Sequence, residues 1–471
     1  MTDKQTIRHI YFVGIAGVAM TALAVYCKER GIHVTGSDID GVFPTRETLK
    51  QAGISVQEGF VAEHIKEFVP DLVVFTGAHG GKENVEVKTA HDLHIPVMSH
   101  GEALGFFMDG QEQISVAGSH GKTTTSAMIA TIYKACGQDP SYAIGCGDII
   151  GVGLPGHFGK GTMFIAEADE YVTDPHHDPK PRFLWQHPDI LVVTNIDFDH
   201  PDAYASLDAV KEAFVTFQQQ QQGKRMTIVN ADDPESSVLM QGRNIMTYGF
   251  SPRADLQITH VGFGEGRTFF TLMLRGTEVG EFSLKVPGRH NALNATAAAA
   301  CAFSSGISWD DIKKGLAEFH GTKRRFEKLA EANGITIFDD YAHHPKEIES
   351  SLAAARAWFP SRRIITVFQP HTYSRTKALL TDFAKSFTNA DMVLLTDIFA
   401  SARESDTLDI TTATLVEKTA KHHADVRYSK NKQETMSLLS RTVKSGDIII
   451  LMGAGDIYEW GPDIVSQVKK G

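Results

Sequence analysis

The segment AGSHGKTTT, Ala117 to Thr125, stands between an apolar strand-like run, ISVAG, and a helix-like run, SAMIATIYKA. A loop in that setting turns backbone N–H groups and a helix N-terminus toward phosphate. Gly118 and Gly121 permit close backbone approach, Lys122 offers a point charge to β- and γ-phosphates, and the Thr123 hydroxyl can reach a Mg2+ ion. The spacing is GxxGKT, so the ordinary P-loop consensus of GxxxxGKS or GxxxxGKT is not met. Two acidic strand ends follow. EADE, Glu167 to Glu170, closes TMFIAEAD, and NIDFDH, Asn195 to His200, closes ILVVTN. Open α/β sheets bind ligands at the carboxyl ends of their strands. Glu170 could therefore hold a Mg2+ between a γ-phosphate and an acceptor carboxylate, and His200 could serve a second metal. The lesser alternative for His200 is a bond to a neighbouring loop, while Asp197 and Asp199 could as well be solvated or capping residues. His176, His177 and His187 lie in a proline-broken stretch and read as surface residues.

A second glycine turn opens the chain. Gly14 and Gly17, with Ala19, follow the strand-like IRHIYFV, and the unit ends in an acidic residue, Asp38. Ala16 and Ala19 stand where the second and third glycines of GxGxxG would be, so three readings stay open: a packing turn, a nucleotide diphosphate with Asp38 as a polar contact, or a nicotinamide cofactor.

The elements that must position these groups are β-branched runs alternating with longer helical stretches, which is the α/β pattern of parallel sheets covered by helices. At 471 residues the chain exceeds what one core usually organises, and three domains are expected. A new strand at Ile114 sets the first boundary, giving residues 1–110 and 111–321. The basic junction HGTKRRFE before ITIFDDY sets the second, leaving 322–471. The central part also carries a polar, β-rich segment from Leu256 to Val286 and an alanine-rich helix from His290 to Phe303. Gln218 to Gln222 reads as a solvated helix end or loop. A net charge of -11 argues against a nucleic-acid or anionic-membrane surface and for small-molecule partners. The start of the chain lacks a signal-peptide pattern and its apolar runs fall far short of the ~20 residues of a membrane helix, so a cytoplasmic location is expected. Cys27, Cys136, Cys146 and Cys301 have no CxxC spacing and read as reduced core residues.

Together, GxxGKT, EADE, NxxxDH, GRHNALNA (Gly288 to Ala295) and DDYAHHP (Asp339 to Pro345) resemble the Mur ligase family over nearly the whole chain. The resemblance implies a Rossmann-like N-terminal domain for a UDP-substrate (Gly14, Gly17, Asp38), a P-loop-type central ATPase domain, and a Rossmann-like C-terminal domain that brings the amino acid, with ATP and Mg2+ as cofactors. It puts Gly118, Gly121, Lys122, Thr123 and Thr124 at the nucleotide phosphates, and Thr123, Glu170 and His200 at metal positions. His290, Asn291 and Asn294 fall on the adenine side and Asp340 on the ribose side. Arg325, in preference to Arg324, reaches the γ-phosphate, and Tyr341, His343, His371 and Arg375 recognise the amino acid. Lys122, Arg325 and His343 are the implied catalytic set.

Within the family, FVGIAGVAM, RRFE, FQPHTYSRT and MGAGDIY are most similar to the branch that joins L-alanine to UDP-N-acetylmuramate for peptidoglycan synthesis, through an acyl phosphate. That branch commonly follows EADE with Ser and an acidic residue, whereas Tyr171, Val172 and Thr173 precede Asp174 here. An EADEY start also occurs in the ligase that recycles a murein tripeptide onto the same sugar nucleotide, which stays as the alternative. A nicotinamide-dependent oxidoreductase is the alternative of another class. A monomer or homodimer is expected.

Overall fold

The computed structural model describes residues 4–41, 43–200, 202–223, 225–242, 244–264, 266–400 and 406–470. The chain divides into two compact units. The first comprises Met1–Gly262, Phe269–Leu284 and Ala292–His320, and the second Phe263–Thr268, Lys285–Asn291 and Gly321–Gly471.

Two sheets build the first unit. β1 (His9–Val13), β2 (His33–Asp38), β3 (Ser55–Glu58), β4 (Leu72–Phe75) and β5 (Val97–Ser99) form a parallel sheet of order β3-β2-β1-β4-β5. Ile10, Tyr11 and Phe12 of β1 are all fully buried, as expected of a parallel strand with helices on both faces. The second sheet has ten strands. β6 (Glu112–Ala117), β7 (Ser141–Ala143), β8 (Gly156–His157) and β9 (Met163–Ala168) form one side. A separate short hairpin, β10 (Val172–Asp174) with β11 (Asp178–Pro181), follows. β12 (Ile190–Val193), β13 (Met226–Asn230), β14 (Ile245–Gly249), β15 (Leu256–Gly264), β16 (Arg267–Leu274) and β17 (Thr277–Leu284) complete the order β17-β16-β15-β14-β13-β12-β6-β9-β7-β8. β6 pairs in parallel with β9 on one side and β12 on the other. The phosphate loop thus leaves its strand between the strands that end in EADE and in Asn195–His200.

In the second unit β18 (Glu327–Ala332), β19 (Ile335–Asp340), β20 (Ile364–Phe368), β21 (Met392–Leu395), β22 (Val426–Tyr428) and β23 (Ile448–Met452) take the order β18-β19-β23-β20-β21-β22. All pairings are parallel except that of β18 with β19. Its two faces carry separate apolar layers, Phe338, Phe368, Ile448 and Ile450 on one and Ile337, Ile365, Val367 and Ile449 on the other.

Two expectations need correction. The glutamine run does end a helix, with Gln219 and Gln222 exposed, but Gln221 is buried and Gln218 half-buried. Gln221 is 4% exposed, donates to the Met226 carbonyl at 2.8 Å and accepts from the Thr227 hydroxyl, while Gln218 donates to the Leu239 carbonyl. Buried amides of this kind close the backbone groups at a strand start. Of the cysteines, Cys27, Cys146 and Cys301 are buried, but Cys136 is half-buried at the end of helix Lys122–Ala135; all four are unbridged. Among the described residues no helix is long and apolar enough to cross a membrane.

Candidate active site

Three strand ends define the phosphate-binding geometry. Gly118 has φ +133°, and a Cβ there would lie 2.1 Å from the Thr194 hydroxyl oxygen. Only glycine allows the loop to pass so close to the end of β12. Asn195 then grips the loop from the side: its amide oxygen accepts from the His120 N–H at 2.9 Å and its amide nitrogen donates to the His120 carbonyl at 2.9 Å. Thr194 donates to the same carbonyl, and Ser119 exchanges hydrogen bonds with the backbone of Asp197. Gly121, φ +84°, caps helix Lys122–Ala135, and a Cβ there would lie 2.6 Å from the Asn294 amide oxygen. Asn294 therefore sits on the phosphate loop itself.

Lys122 reaches across the loop. Its ammonium donates to the Gly118 carbonyl and, at 2.8 Å, to Glu170 Oε2. Burial works against its charge, but Glu170, with Asp169 and Glu167 behind it, more than offsets that, and the lysine titrates above its ordinary range. Asp169 is the counterpart. Burial would lift it, yet Arg182 at 2.9 Å and then Lys122 hold it at about 2. Asp169 thus anchors the EADE turn, and Glu170 faces the loop.

Glu170 is 2% exposed, and its Oε1 has no hydrogen-bond partner among the described residues. His200 Nε2 lies 3.9 Å from that oxygen, beyond hydrogen-bonding range. An orphaned buried carboxylate oxygen beside a phosphate loop fits a hard cation. Among the described residues no group of three or more His, Cys, Asp or Glu is placed to hold a metal alone, so the remaining ligands would come from Thr123, phosphate and water, the mixed shell Mg2+ prefers. Thr123 is buried and Thr124 half-buried in the first turn of the helix.

At the first glycine turn the N–H groups of Gly14 and Ile15 bond to the Ser37 carbonyl, and Gly14 has φ +81°. Asp38 is deeply placed at this turn. It is 1% exposed, accepts from the N–H groups of Ala16 and Ile39 at 2.7 and 2.8 Å, and faces His79 at 3.7 Å. Its carboxylate shapes the turn.

The second unit gathers the remaining residues around the ends of β19 and β20. Arg324 and Arg325 separate clearly. Arg324 is spent on Asp339 at 3.2 Å and on the Gly453 carbonyl at 2.7 Å, while Arg325, a third exposed, lies 3.7 Å from Glu347; both guanidinium groups lie against the Tyr341 ring. Positive φ at Arg324 and Phe326 brackets Arg325, the kind of backbone strain held at functional positions. Asp340 accepts from the Ala342 N–H and the Ser351 hydroxyl, and burial raises its pKa. Asn291 likewise donates inward, to the Pro287 carbonyl. His290 is neutral at pH 7, since burial and then Arg325 push it down to about 4.

His343 Nδ1 donates to the Tyr341 carbonyl at 2.9 Å, which leaves Nε2 as the basic nitrogen of the neutral ring. The ring meets Tyr341 edge-on at 5.1 Å and His371 at 6.2 Å, and His371 stacks on Phe399. Arg375, one helical turn on, donates to the His371 carbonyl at 3.4 Å. Sequence reasoning passed over two organising amides. Asn195 is one; Gln369 is the other, joining Asp456 and the Ile457 N–H and so tying FQPHTYSRT to MGAGDIY. Their presence inside the quoted motifs was the only signal.

This geometry, a short phosphate loop flanked by a cation-ready glutamate, defines a nucleotide-dependent transferase or ligase centre, and the family follows from comparison. Models described as Mur ligase family, catalytic domain, as Mur ligase middle domain, and as Mur ligase, glutamate ligase domain match residues 9–112, 116–302 and 324–455 in that order. The chain belongs to the Mur ligase family. It is 40% identical over 458 residues to the UDP-N-acetylmuramate--L-alanine ligase of Desulfitobacterium hafniense, covering 97% of this chain and 99% of that one. It is 38% identical over 472 residues to the ligase of the same name from Caldanaerobacter subterraneus, covering 99% of each. The crystal structure of UDP-N-acetylmuramate-alanine ligase from Thermotoga maritima matches with a TM-score of 0.82 at 26% identity, covering 98% and 99%. A murein peptide ligase from Psychrobacter arcticus matches in fold, with a TM-score of 0.72 at 24% identity, covering 98% and 99%.

Proposed function

We infer that this chain joins L-alanine to the carboxylate of UDP-N-acetylmuramate in an ATP-driven reaction of peptidoglycan precursor synthesis. The observation that carries the reading is the Lys122–Glu170 pair at the head of helix Lys122–Ala135, in a chain aligned end to end with alanine ligases at 40% identity. Residues 1–110 take the sugar nucleotide, 111–321 ATP, and 322–471 the amino acid. Its work belongs in the cytoplasm, where those substrates meet.

Amide formation from a free carboxylate is uphill in water, so the acyl group is first phosphorylated by ATP. The transferring phosphoryl group needs its charge offset more than it needs covalent help. Lys122 supplies one positive group and Arg325 a second, the latter because Arg324 is already committed to Asp339. Mg2+, held by Thr123 and Glu170 with His200 at a second position, supplies further charge neutralisation when bound. Arg375 pairs with the alanine carboxylate, a fork-to-carboxylate match. His343 takes the proton from the alanine ammonium at Nε2. The amine attacks the acyl phosphate, and the tetrahedral intermediate expels phosphate to leave the amide.

The test is phosphate release from ATP and Mg2+ with UDP-N-acetylmuramate, comparing L-alanine with L-Ala-γ-D-Glu-meso-diaminopimelate. Release that requires L-alanine is expected. Release with the tripeptide alone would reassign the chain to recycling, and release with neither would discard both substrates.

A further inference from the structure

The departure at Tyr171 has a structural counterpart 33 residues on. Tyr171 follows Glu170 directly, and its hydroxyl donates at 2.7 Å to Asp202, two residues past His200. Tyr204, on the His200 side, donates in the opposite direction, at 2.6 Å to the Glu170 carbonyl. The two loops are thus cross-linked reciprocally, each tyrosine bonding the loop that carries the other. The Tyr171 ring also meets the His200 imidazole edge-on, with centroids 5.0 Å apart, and the Arg182 guanidinium lies 5.5 Å from its centroid. His200 Nε2 lies 3.9 Å from Glu170 Oε1, which has no hydrogen-bond partner among the described residues. The His200 turn itself is closed by the Ala203 and Tyr204 N–H groups on the His200 carbonyl.

We propose that Tyr171 and Tyr204 are positioning residues that brace the Glu170 and His200 loops at the separation a divalent cation requires. The inference rests on the reading of Glu170 and His200 as cation ligands. Neighbouring cation positions on a carboxylate and an imidazole carried by two separate loops keep their spacing only if those loops do. Strands β9 and β12, both paired to β6, end at Ala168 and Val193, short of Glu170 and His200, so the loops beyond them set the spacing. A hydroxyl in each direction holds it without placing a competing ligand on Oε1. Outer partners of this kind typically set metal affinity by about 10-fold or more.

The experiment measures Mn2+ binding by electron paramagnetic resonance on the full chain with a non-hydrolysable ATP analogue, in wild type, Tyr171→Phe, Tyr204→Phe and Glu170→Gln. Phenylalanine keeps each ring and removes only the hydroxyl. Each tyrosine variant should bind Mn2+ about 10-fold more weakly, and amide exchange at Ala203 and Tyr204 should quicken in both. Wild-type Mn2+ affinity in the two tyrosine variants, with Glu170→Gln impaired, would overturn the brace while keeping the cation reading. Wild-type affinity in Glu170→Gln would overturn both. Weakened Mn2+ binding with unchanged exchange would also overturn the brace, since the loops would not have moved.

Discussion

Replacing Lys122 with Met removes one partner of a nearly buried ion pair. The Lys122 side chain is 15% exposed and that of Glu170 3%, with 2.8 Å between ammonium and carboxylate. Breaking such a pair from one side costs about 3–5 kcal/mol, mostly because the surviving charge stays buried. Lys122 keeps some solvent contact, so the lower end, about 3 kcal/mol, is the better figure, which for a unit of this size lowers the melting temperature by roughly 4–6 °C. If the orphaned Glu170 charge is the cause, Lys122→Met/Glu170→Gln should recover most of that loss without recovering turnover. Turnover should fall by about 10^2–10^3 or more, the usual effect of deleting one group that stabilises transition-state charge, while UDP-N-acetylmuramate still binds. Differential scanning fluorimetry and coupled phosphate release measure the two quantities. A Lys122→Met protein that melts and turns over like wild type would refute the pairing, and a double variant melting lower than Lys122→Met would refute the orphan-charge explanation.

The neighbouring arginines should fail in different ways. Arg325→Ala should abolish phosphate release with little change in melting temperature, whereas Arg324→Ala should destabilise by about 3 kcal/mol through the stranded Asp339; equal effects in both assays would erase the distinction. Arg375→Ala should raise the KM for L-alanine about 10- to 100-fold, the worth of a charged hydrogen-bonded pair, and an unchanged KM would move the carboxylate site elsewhere. His157 gives a pH signature. Its ring nitrogens bond Glu29 at 2.6 Å and Asp139 at 2.7 Å, so both carry protons, and the Glu29 hydrogen bond leads the causes that raise its pKa. A raised histidine stabilises fully below its unfolded value, about 6.5, and loses that contribution as pH climbs through the native value. The melting-temperature gap between wild type and His157→Gln should therefore be widest near about pH 6 and narrow as pH rises above it; a gap constant with pH would contradict the imidazolium.

The chemistry at the ends of β6, β9 and β12 was legible because each group sits in a contiguous motif and strand polarity places all three motifs at one sheet edge. What the sequence concealed are partners far apart in the chain and polar groups turned inward. Asn195 holds His120 across 75 residues and Gln369 holds Asp456 across 87, and no local pattern announces an amide's orientation. Asp38 and Asp340 look available as motif residues, yet backbone N–H groups and, for Asp340, the Ser351 hydroxyl claim their oxygens. EKLAEA, rich in helix formers, is strand β18 because pairing with β19 outweighs local preference. Tyr171 was visible as a departure, but its partner Asp202 was not, since the phenol reaches its acceptor only after the loops are set side by side.

The most direct measurement follows oxygen. UDP-N-acetylmuramate labelled with 18O in its free carboxylate is incubated with the protein, ATP, Mg2+ and L-alanine, and both products are weighed by mass spectrometry. One 18O should appear in each inorganic phosphate released, matched by one alanyl amide that keeps the other label. Unlabelled phosphate, or labelled phosphate with no alanyl product, would contradict an acyl phosphate captured by alanine.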